Sequence, residues 1–265
     1  MLFAEHLCLI RGGGDLGTGV ALRLSNAGFP VAVCELPNPL TVRRTVALST
    51  AVADGKTIVE GLTAQRIERP AEIESLAATG VVPVLVASGL PKLQWSVVVD
   101  ARMAKQPLDT NLNDAPLVVA LGPGFSAGEH SHAVVETMRG PDLGRVLWEG
   151  SAKPDTGQPS KVEDRTVDRV LRAPVGGTVV WNRRIGDSVI TGEVVGTVGG
   201  QHVTAKFDGL VRGLILDGID VAVGTKIGDV DPRGDKVSAH AVSDKALAVG
   251  AGALEAILTW LNRSG

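Results

Sequence analysis

Short apolar runs alternate with stretches of helical period through the first half of the chain, which predicts a parallel, doubly wound sheet of Rossmann-like type. The apolar runs that read as strands are Leu7–Ile10, Pro30–Cys34, Val81–Ala87, Ser96–Val99, Leu117–Leu121 and Val146–Trp148. Helical period fits Leu16–Asn26, Val42–Ala51, Ala71–Ala78 and Ser131–Met138. Gly150–Pro159 (GSAKPDTGQP) is rich in glycine, proline and serine, and reads as a connector. Helical period then nearly vanishes from Arg172 to Asp231. It returns in Ser243–Asn262, where a Ser–Asp pair starts a final helix, Asp244–Leu261. Ala246, Val249, Leu254, Ile257, Leu258 and Leu261 give that helix one apolar face, enough to return it to the first domain.

The region without helical period is an internal repeat. A shift of 32 residues lays Ala173 on Ala205, Gly177 on Gly209, Gly186 on Gly218, Gly192 on Gly224 and Gly196 on Gly228. Val179 and Val211, and Val189 and Val221, fall in the same register. Each half reads strand, turn, strand, glycine turn, strand, and two such halves predict a small flattened barrel. The pattern APVGGTV followed by IGDSVITGEVVGTV resembles the biotinyl/lipoyl carrier (barrel-sandwich) fold. That family carries its prosthetic group on a lysine at the tip of the hairpin joining the halves. Here the tip is Gly199–Gly200–Gln201, and Lys206 stands at the position of Pro174, a strand entry, so neither biotin nor lipoate is expected.

Composition narrows the function classes. At 265 residues with a net charge of −3, the chain has the size for a sizeable core and no basic excess to hold a nucleic acid. Cys8 and Cys34 both lie in apolar runs, too few and too buried for a disulfide framework or a metal site. Glu5 and the short run Leu7–Ile10 do not make a signal peptide. The longest apolar run, Val81–Ala87, falls far below the roughly 18 residues of a membrane span. A cytoplasmic location without membrane contact is expected.

Chemistry is concentrated at predicted strand ends. Gly12, Gly14 and Gly17 satisfy G-x-G-x-x-G directly after a strand and before a helix, with Glu35 placed 18 residues past Gly17. In a dinucleotide site the glycines permit the turn and the close approach of a pyrophosphate, the helix amides hold the anion, and the acid bonds a ribose hydroxyl. Gly12, Gly13, Gly14, Asp15, Leu16, Gly17 and Glu35 are therefore the candidate residues for an NAD- or FAD-like cofactor. Arg43 and Arg44 could clamp a phosphate or carboxylate. Asp100, Arg102 and Lys105 follow another strand, and Gly122 and Gly124 form a second glycine turn; these seven are the candidate anion or substrate residues. Glu129, His130 and His132 lack further ligands at metal spacing, so bonded or surface histidines are expected and no metal. The sequence assigns no nucleophile and no catalytic base.

Several motifs also match a known family in order: Gly12-Gly-Gly-Asp-Leu-Gly-Thr-Gly-Val20, Arg43-Arg-Thr-Val46, Val99-Asp-Ala-Arg102, Leu121-Gly-Pro-Gly-Phe125, Glu136-Thr-Met-Arg-Gly140, Trp148-Glu-Gly-Ser-Ala152, Asp231-Pro-Arg233 and Ser243-Asp-Lys-Ala246. Over nearly its whole length the chain resembles the YqeB-like accessory proteins of selenium-dependent molybdenum hydroxylases. The resemblance implies a role in maturing a xanthine dehydrogenase-type hydroxylase or its cofactor, with that hydroxylase as partner. The combined expectation is a nucleotide-binding accessory protein, against an NAD-dependent oxidoreductase acting on a small anion, or a pure scaffold with a vestigial glycine loop. The expected partners are a small-molecule nucleotide and that hydroxylase, and a homo-oligomer stays open. The expected domains are 1–170, nucleotide-binding; 171–232, barrel-sandwich; and 233–265, a helix returning to the first domain.

Overall fold

The computed structural model describes residues 1–155, 157, 167–234 and 239–264. The chain divides into two compact units. One comprises Met1–Pro39, Ala47–Thr156 and Val242–Gly265; the other comprises Leu40–Val46 and Gly157–Ala241. The second unit therefore starts earlier and ends later than residues 171–232, and it takes a short segment from the first half of the sequence.

The first unit opens with β1 (Cys8–Arg11), α1 (Asp15–Ala27), β2 (Val31–Glu35), α2 (Ala51–Asp54), β3 (Lys56–Val59) and β4 (Leu62–Ile67). It continues with α3 (Ile73–Ala77), β5 (Val82–Val86), β6 (Val97–Asp100), β7 (Leu117–Leu121), β8 (Ser126–Ala127), β9 (Ala133–Val135), β10 (Val146–Leu147) and β11 (Gly150–Ser151). Nine strands form one sheet in the order β10-β9-β7-β6-β1-β2-β5-β4-β3. The inner strands are parallel, and the near-continuous apolar runs of β1, β2, β6 and β7 suit strands buried on both faces. The edge strands β3 and β10 are antiparallel to their neighbours. The connections from β1 and β6 run in opposite directions, so the sheet's switch point lies between these two strands.

Three expectations from periodicity are corrected here. Ser131–Met138 holds strand β9 instead of a helix, because its apolar run is short enough to pair beside β7. Val42–Ala51 gives two single 3-10 turns, Arg44–Val46 and Leu48–Thr50, with α2 starting only at Ala51. The β3–β4 hairpin was not foreseen. Its exposed, polar-rich strands, closed by Glu60–Gly61 with positive φ at both, present a weak apolar signal. Of the expected connector, Gly150–Ser151 pairs with β8, while residues 156, 158 and 159 lie outside the described residues.

The last helix, α4 (Asp244–Ser264), packs in the first unit. Ser243 Oγ accepts a hydrogen bond from the Ala246 amide at 3.1 Å, a serine N-cap. The buried stripe is not the leucine-rich one. Ala246, Val249, Ala253, Ala256 and Ile257 are fully buried, whereas Leu258 is 41% exposed. Small residues win because α4 runs very close to α1. A Cβ on Gly250 would lie 2.3 Å from the Gly19 carbonyl oxygen, and one on Gly19 would lie 2.2 Å from that of Ala246.

The second unit contains β12 (Val170–Arg172), β13 (Gly177–Trp181), β14 (Ser188–Val189), β15 (Val194–Val198), β16 (Gln201–Thr204), β17 (Gly209–Leu214), β18 (Asp220–Val221) and β19 (Lys226–Asp231). They form two four-stranded antiparallel sheets, β12-β19-β17-β14 and β16-β15-β13-β18, around one apolar core that includes Val179, Val195, Val211 and Ile227. At the repeat offset β12 corresponds to β16, β13 to β17, β14 to β18 and β15 to β19. Each sheet is thus the repeat image of the other. Gly199 and Gly200, both with positive φ, make the tight turn between β15 and β16.

The expected fold class, a Rossmann-like doubly wound parallel sheet with an inserted barrel-sandwich domain, is corrected accordingly. The large sheet is mixed and carries antiparallel edges. Short turns replace most of the crossover helices that a doubly wound sheet needs. The remaining strands form separate antiparallel sheets.

Candidate functional site at the strand ends of the large sheet

The glycine loop turns directly out of β1. Gly12 has φ 97°, a left-handed conformation that favours glycine, and a Cβ there would lie 3.1 Å from the Arg102 Cα. A Cβ on Gly17 would lie 2.0 Å from the Gly12 carbonyl oxygen, and one on Gly13 would lie 2.9 Å from the Ser49 amide nitrogen. Gly14 caps α1, with Asp15 and Leu16 in its first turn. The turn Leu48–Thr50 lies against this loop: the Ser49 amide donates to the Gly13 carbonyl at 2.9 Å, and the Leu48 amide donates to Thr18 Oγ1 at 3.0 Å.

Glu35, at the end of β2, reaches back to the loop. Its carboxylate accepts the Gly13 amide at 2.8 Å and the Leu36 amide at 2.7 Å. Desolvation raises its pKa, and these two amide hydrogen bonds oppose the rise. One amide of the candidate loop, that of Gly13, thus holds the protein's own carboxylate, and the acid expected to meet a ribose is spent on the backbone. A second anion there would face like-charge repulsion.

A charge lattice closes the switch point. Asp100, 1% exposed, receives Arg102 Nη2 at 2.6 Å and the Thr110 hydroxyl at 2.5 Å. Arg102 Nη1 reaches Asp109 at 2.7 Å, and Arg11 Nη2 reaches the same carboxylate at 2.6 Å. Arg11, 1% exposed, also donates to Thr110 at 3.1 Å, with its Nε left without a hydrogen-bond partner. Desolvation disfavours charge on Asp109, yet Arg11 and Arg102 hold its carboxyl down at about 2. Met103 and Lys105 follow with positive φ of 56° and 63°, a conformation that costs side-chain-bearing residues about 1–3 kcal/mol each. Lys105 pairs with Asp155 at 2.5 Å.

The neighbouring strand ends are closed in the same way. Gly122 and Gly124 pack tightly: a Cβ on the first would lie 2.5 Å from Thr137 Oγ1, and one on the second 2.3 Å from the Lys105 carbonyl carbon. Glu136, 3% exposed, accepts the amides of Met138 and Lys153 at 2.7 and 2.8 Å. Lys245, half-buried at the start of α4, is held below the usual lysine range by desolvation and Arg139, against Asp15, Glu136 and Asp155. His132 Nδ1 accepts the Val118 amide and His130 Nδ1 that of Ser126. Burial pushes the Cys34 thiol up to about 11 and Cys8 higher still, so neither is a ready thiolate. Among the described residues no group of three or more His, Cys, Asp or Glu is placed to hold a metal.

The structure thus brings together Gly12–Gly17, Glu35, Asp100 and Arg102 of the predicted site. Arg43 and Arg44 make hydrogen bonds of their own. Both belong to the second unit, where Arg43 Nη2 donates to the Ala241 carbonyl at 2.8 Å and Arg44 Nε to that of Leu214 at 3.0 Å. Sequence reasoning missed Arg11, Asp109, Thr110, Glu136 and Lys245. A charged residue closing an apolar strand, as Arg11 does, is the one local sign that could have flagged a buried ion cluster.

No family model matches the chain. It is 45% identical over 262 residues to the "Uncharacterized protein YqeB" of Escherichia coli (strain K12), covering 98% of this chain and 48% of that protein. The chain therefore spans about half the length of the curated relative it matches. Among solved structures, a succinylglutamate desuccinylase/aspartoacylase from Rhodobacter sphaeroides shares 24% identity over 25% of this chain and 22% of that one, with a TM-score of 0.23. An aspartoacylase family protein from Mesorhizobium loti gives 14% identity, 85% and 84% coverage and a TM-score of 0.29. The ectoine utilization protein EutE from Ruegeria pomeroyi gives 13%, 85% of each chain and 0.28. At such TM-scores the likeness carries no argument about this chain's chemistry.

With the glycine loop closed by Glu35 and the arginines committed elsewhere, the expected nucleotide-binding role in hydroxylase maturation is corrected. So is its alternative, an NAD-dependent oxidoreductase using Arg43 and Arg44.

Proposed function

We propose that this chain is a YqeB-type module that acts as a scaffold. The observation that carries the scaffold reading is the 2.8 Å hydrogen bond from the Gly13 amide to Glu35. It spends one amide of the glycine loop, and the acid expected to meet a ribose, on the protein's own fold. The family reading is supported by 45% identity along 98% of the chain. Among the described residues no helix is long and apolar enough to cross a membrane. With two unpaired, buried cysteines, we place the module in the cytoplasm.

Calorimetric titration with NAD, NADP, FAD and ATP tests this reading. The expected result is no saturable heat at millimolar ligand in a folded sample. Stoichiometric binding of any of the four, weakened by Gly13→Ala in a protein that still melts cooperatively, would overturn it.

A further inference from the structure

The repeat in the second unit builds a cleft of about 210 Å³, open to solvent. Its lining falls into pairs at the repeat offset, including Leu171 with Val203, Arg172 with Thr204 and Pro174 with Lys206. In the fourth pair His202 stands where the first half has Val170. The cleft therefore lies where the two halves of the repeat meet. Both halves carry polar groups, Arg172 in the first and His202, Thr204 and Lys206 in the second, where histidine and lysine stand in place of valine and proline. Neither exchange serves the core, because His202 and Lys206 are both exposed.

The chemistry of the lining is consistent. Leu171 and Val203 supply an apolar floor, and both are buried. Arg172, His202, Thr204 and Lys206 supply donors above it, and no acidic residue lines the cleft. Arg172 spends Nη1 on the Gly224 carbonyl at 2.9 Å, a neutral partner that leaves its charge uncompensated. Among the described residues Lys206 and His202 have no hydrogen-bond or ion-pair partner. Lys226, cross-strand from Arg172, adds to the positive field. Desolvation holds its ammonium below the usual range, with Arg169, Arg172 and Arg212 acting in the same sense against Asp229.

We propose that this cleft binds a small oxyanion, a carboxylate or phosphate head carrying a short apolar body. The head meets Lys206, Arg172 and the Thr204 hydroxyl, and the body covers Leu171 and Val203. The volume of about 210 Å³ suits a small metabolite. The inference does not rest on the scaffold reading, whose carrying hydrogen bond lies in the other unit.

The experiment is a titration of the whole chain, followed by amide chemical shifts and calorimetry, with butyrate, inorganic phosphate and uncharged butyramide. Saturable binding of butyrate or phosphate is expected, centred on residues 202–206, with butyramide inert; which anion binds identifies the head group. Lys206→Gln should weaken binding about tenfold, as loss of a charge-assisted contact does. His202→Ala, a second surface change, should weaken it less, and the melting temperature of each variant verifies folding. No saturable shift at millimolar anion, equal binding of butyramide, or unchanged affinity in folded Lys206→Gln would overturn the proposal.

Discussion

Two regions, one in each unit, treat positive charge in opposite ways. In the first, Arg11 and Arg102 lie at the switch point of an open sheet, where ligands of such sheets bind, yet Asp100 and Asp109 answer both within 2.7 Å. In the second, Arg172 and Lys206 border a cleft with no carboxylate in its lining. Position within a fold class therefore does not identify a site; the balance of charge and partners does. A buried cation with matched carboxylates is part of the framework, and its desolvation cost is met inside the protein. An exposed cation beside an apolar floor, without a partner, is available to a ligand.

The largest effect should come from breaking the closed lattice. Asp100→Ala leaves Arg102 and Thr110 without their shared acceptor, and urea denaturation should show a loss of about 3 kcal/mol. A loss under 1 kcal/mol would mean that water substitutes for the carboxylate and that the lattice is less closed than its geometry indicates.

Next comes the helix pair. Gly250→Ala places a Cβ 2.3 Å from the Gly19 carbonyl oxygen, so it should destabilise by about 1–3 kcal/mol although alanine favours helices. Leu258→Gln, on the half-exposed side of α4, should stay within about 0.5 kcal/mol. The reverse order would restore the leucine stripe as the buried face.

Smaller and opposite effects are expected from pH. Desolvation raises the Glu35 pKa, so the folded chain binds that proton more tightly than the unfolded one. Stability should therefore fall as pH rises from the ordinary glutamate value of ~4.3 through the higher folded value. Asp109, held at about 2 by Arg11 and Arg102 despite desolvation, acts in the other direction. Its contribution is complete above the ordinary ~3.9 and is lost as pH falls toward 2. Denaturation between pH 2 and 7 should show Glu35→Gln removing the first trend and Asp109→Asn the second. Parallel curves for all three proteins would show that neither carboxylate is perturbed.

The smallest effect completes the contrast. Lys206→Gln should leave stability within about 0.5 kcal/mol, because the side chain is exposed and carries no framework bond. A loss above 1 kcal/mol in thermal or urea melts would place Lys206 in the framework together with Arg11 and Arg102.

Much of the architecture was legible in local pattern. β1, α1 and β2 are an apolar run, a glycine turn with helical period and a second apolar run; each lies within one or two residues of its expected place. The serine that starts α4 was legible too, since capping is a local interaction. The candidate site was legible only as a location. G-x-G-x-x-G marks where the backbone turns tightly, but not what its amides bind. Gly13 bonds a carboxylate 22 residues away, and Gly17 is needed by the carbonyl of Gly12.

The sequence by itself determined the strand and helix positions wherever the apolar period was long, and it determined the repeat, because equal spacing of turn glycines dictates equal strands. Tertiary structure alone decided the rest. The strand at Ala133–Val135 exists because β7 offers a pairing edge. The face that α4 buries was chosen by how closely α1 could approach. Arg43 and Arg44 found carbonyls in the second unit, and the cations of the large sheet found carboxylates arriving from Asp100 and Asp109. Partners of a charged group are set by three-dimensional proximity, and Coulomb and desolvation energies depend on distance and burial, which no local pattern encodes.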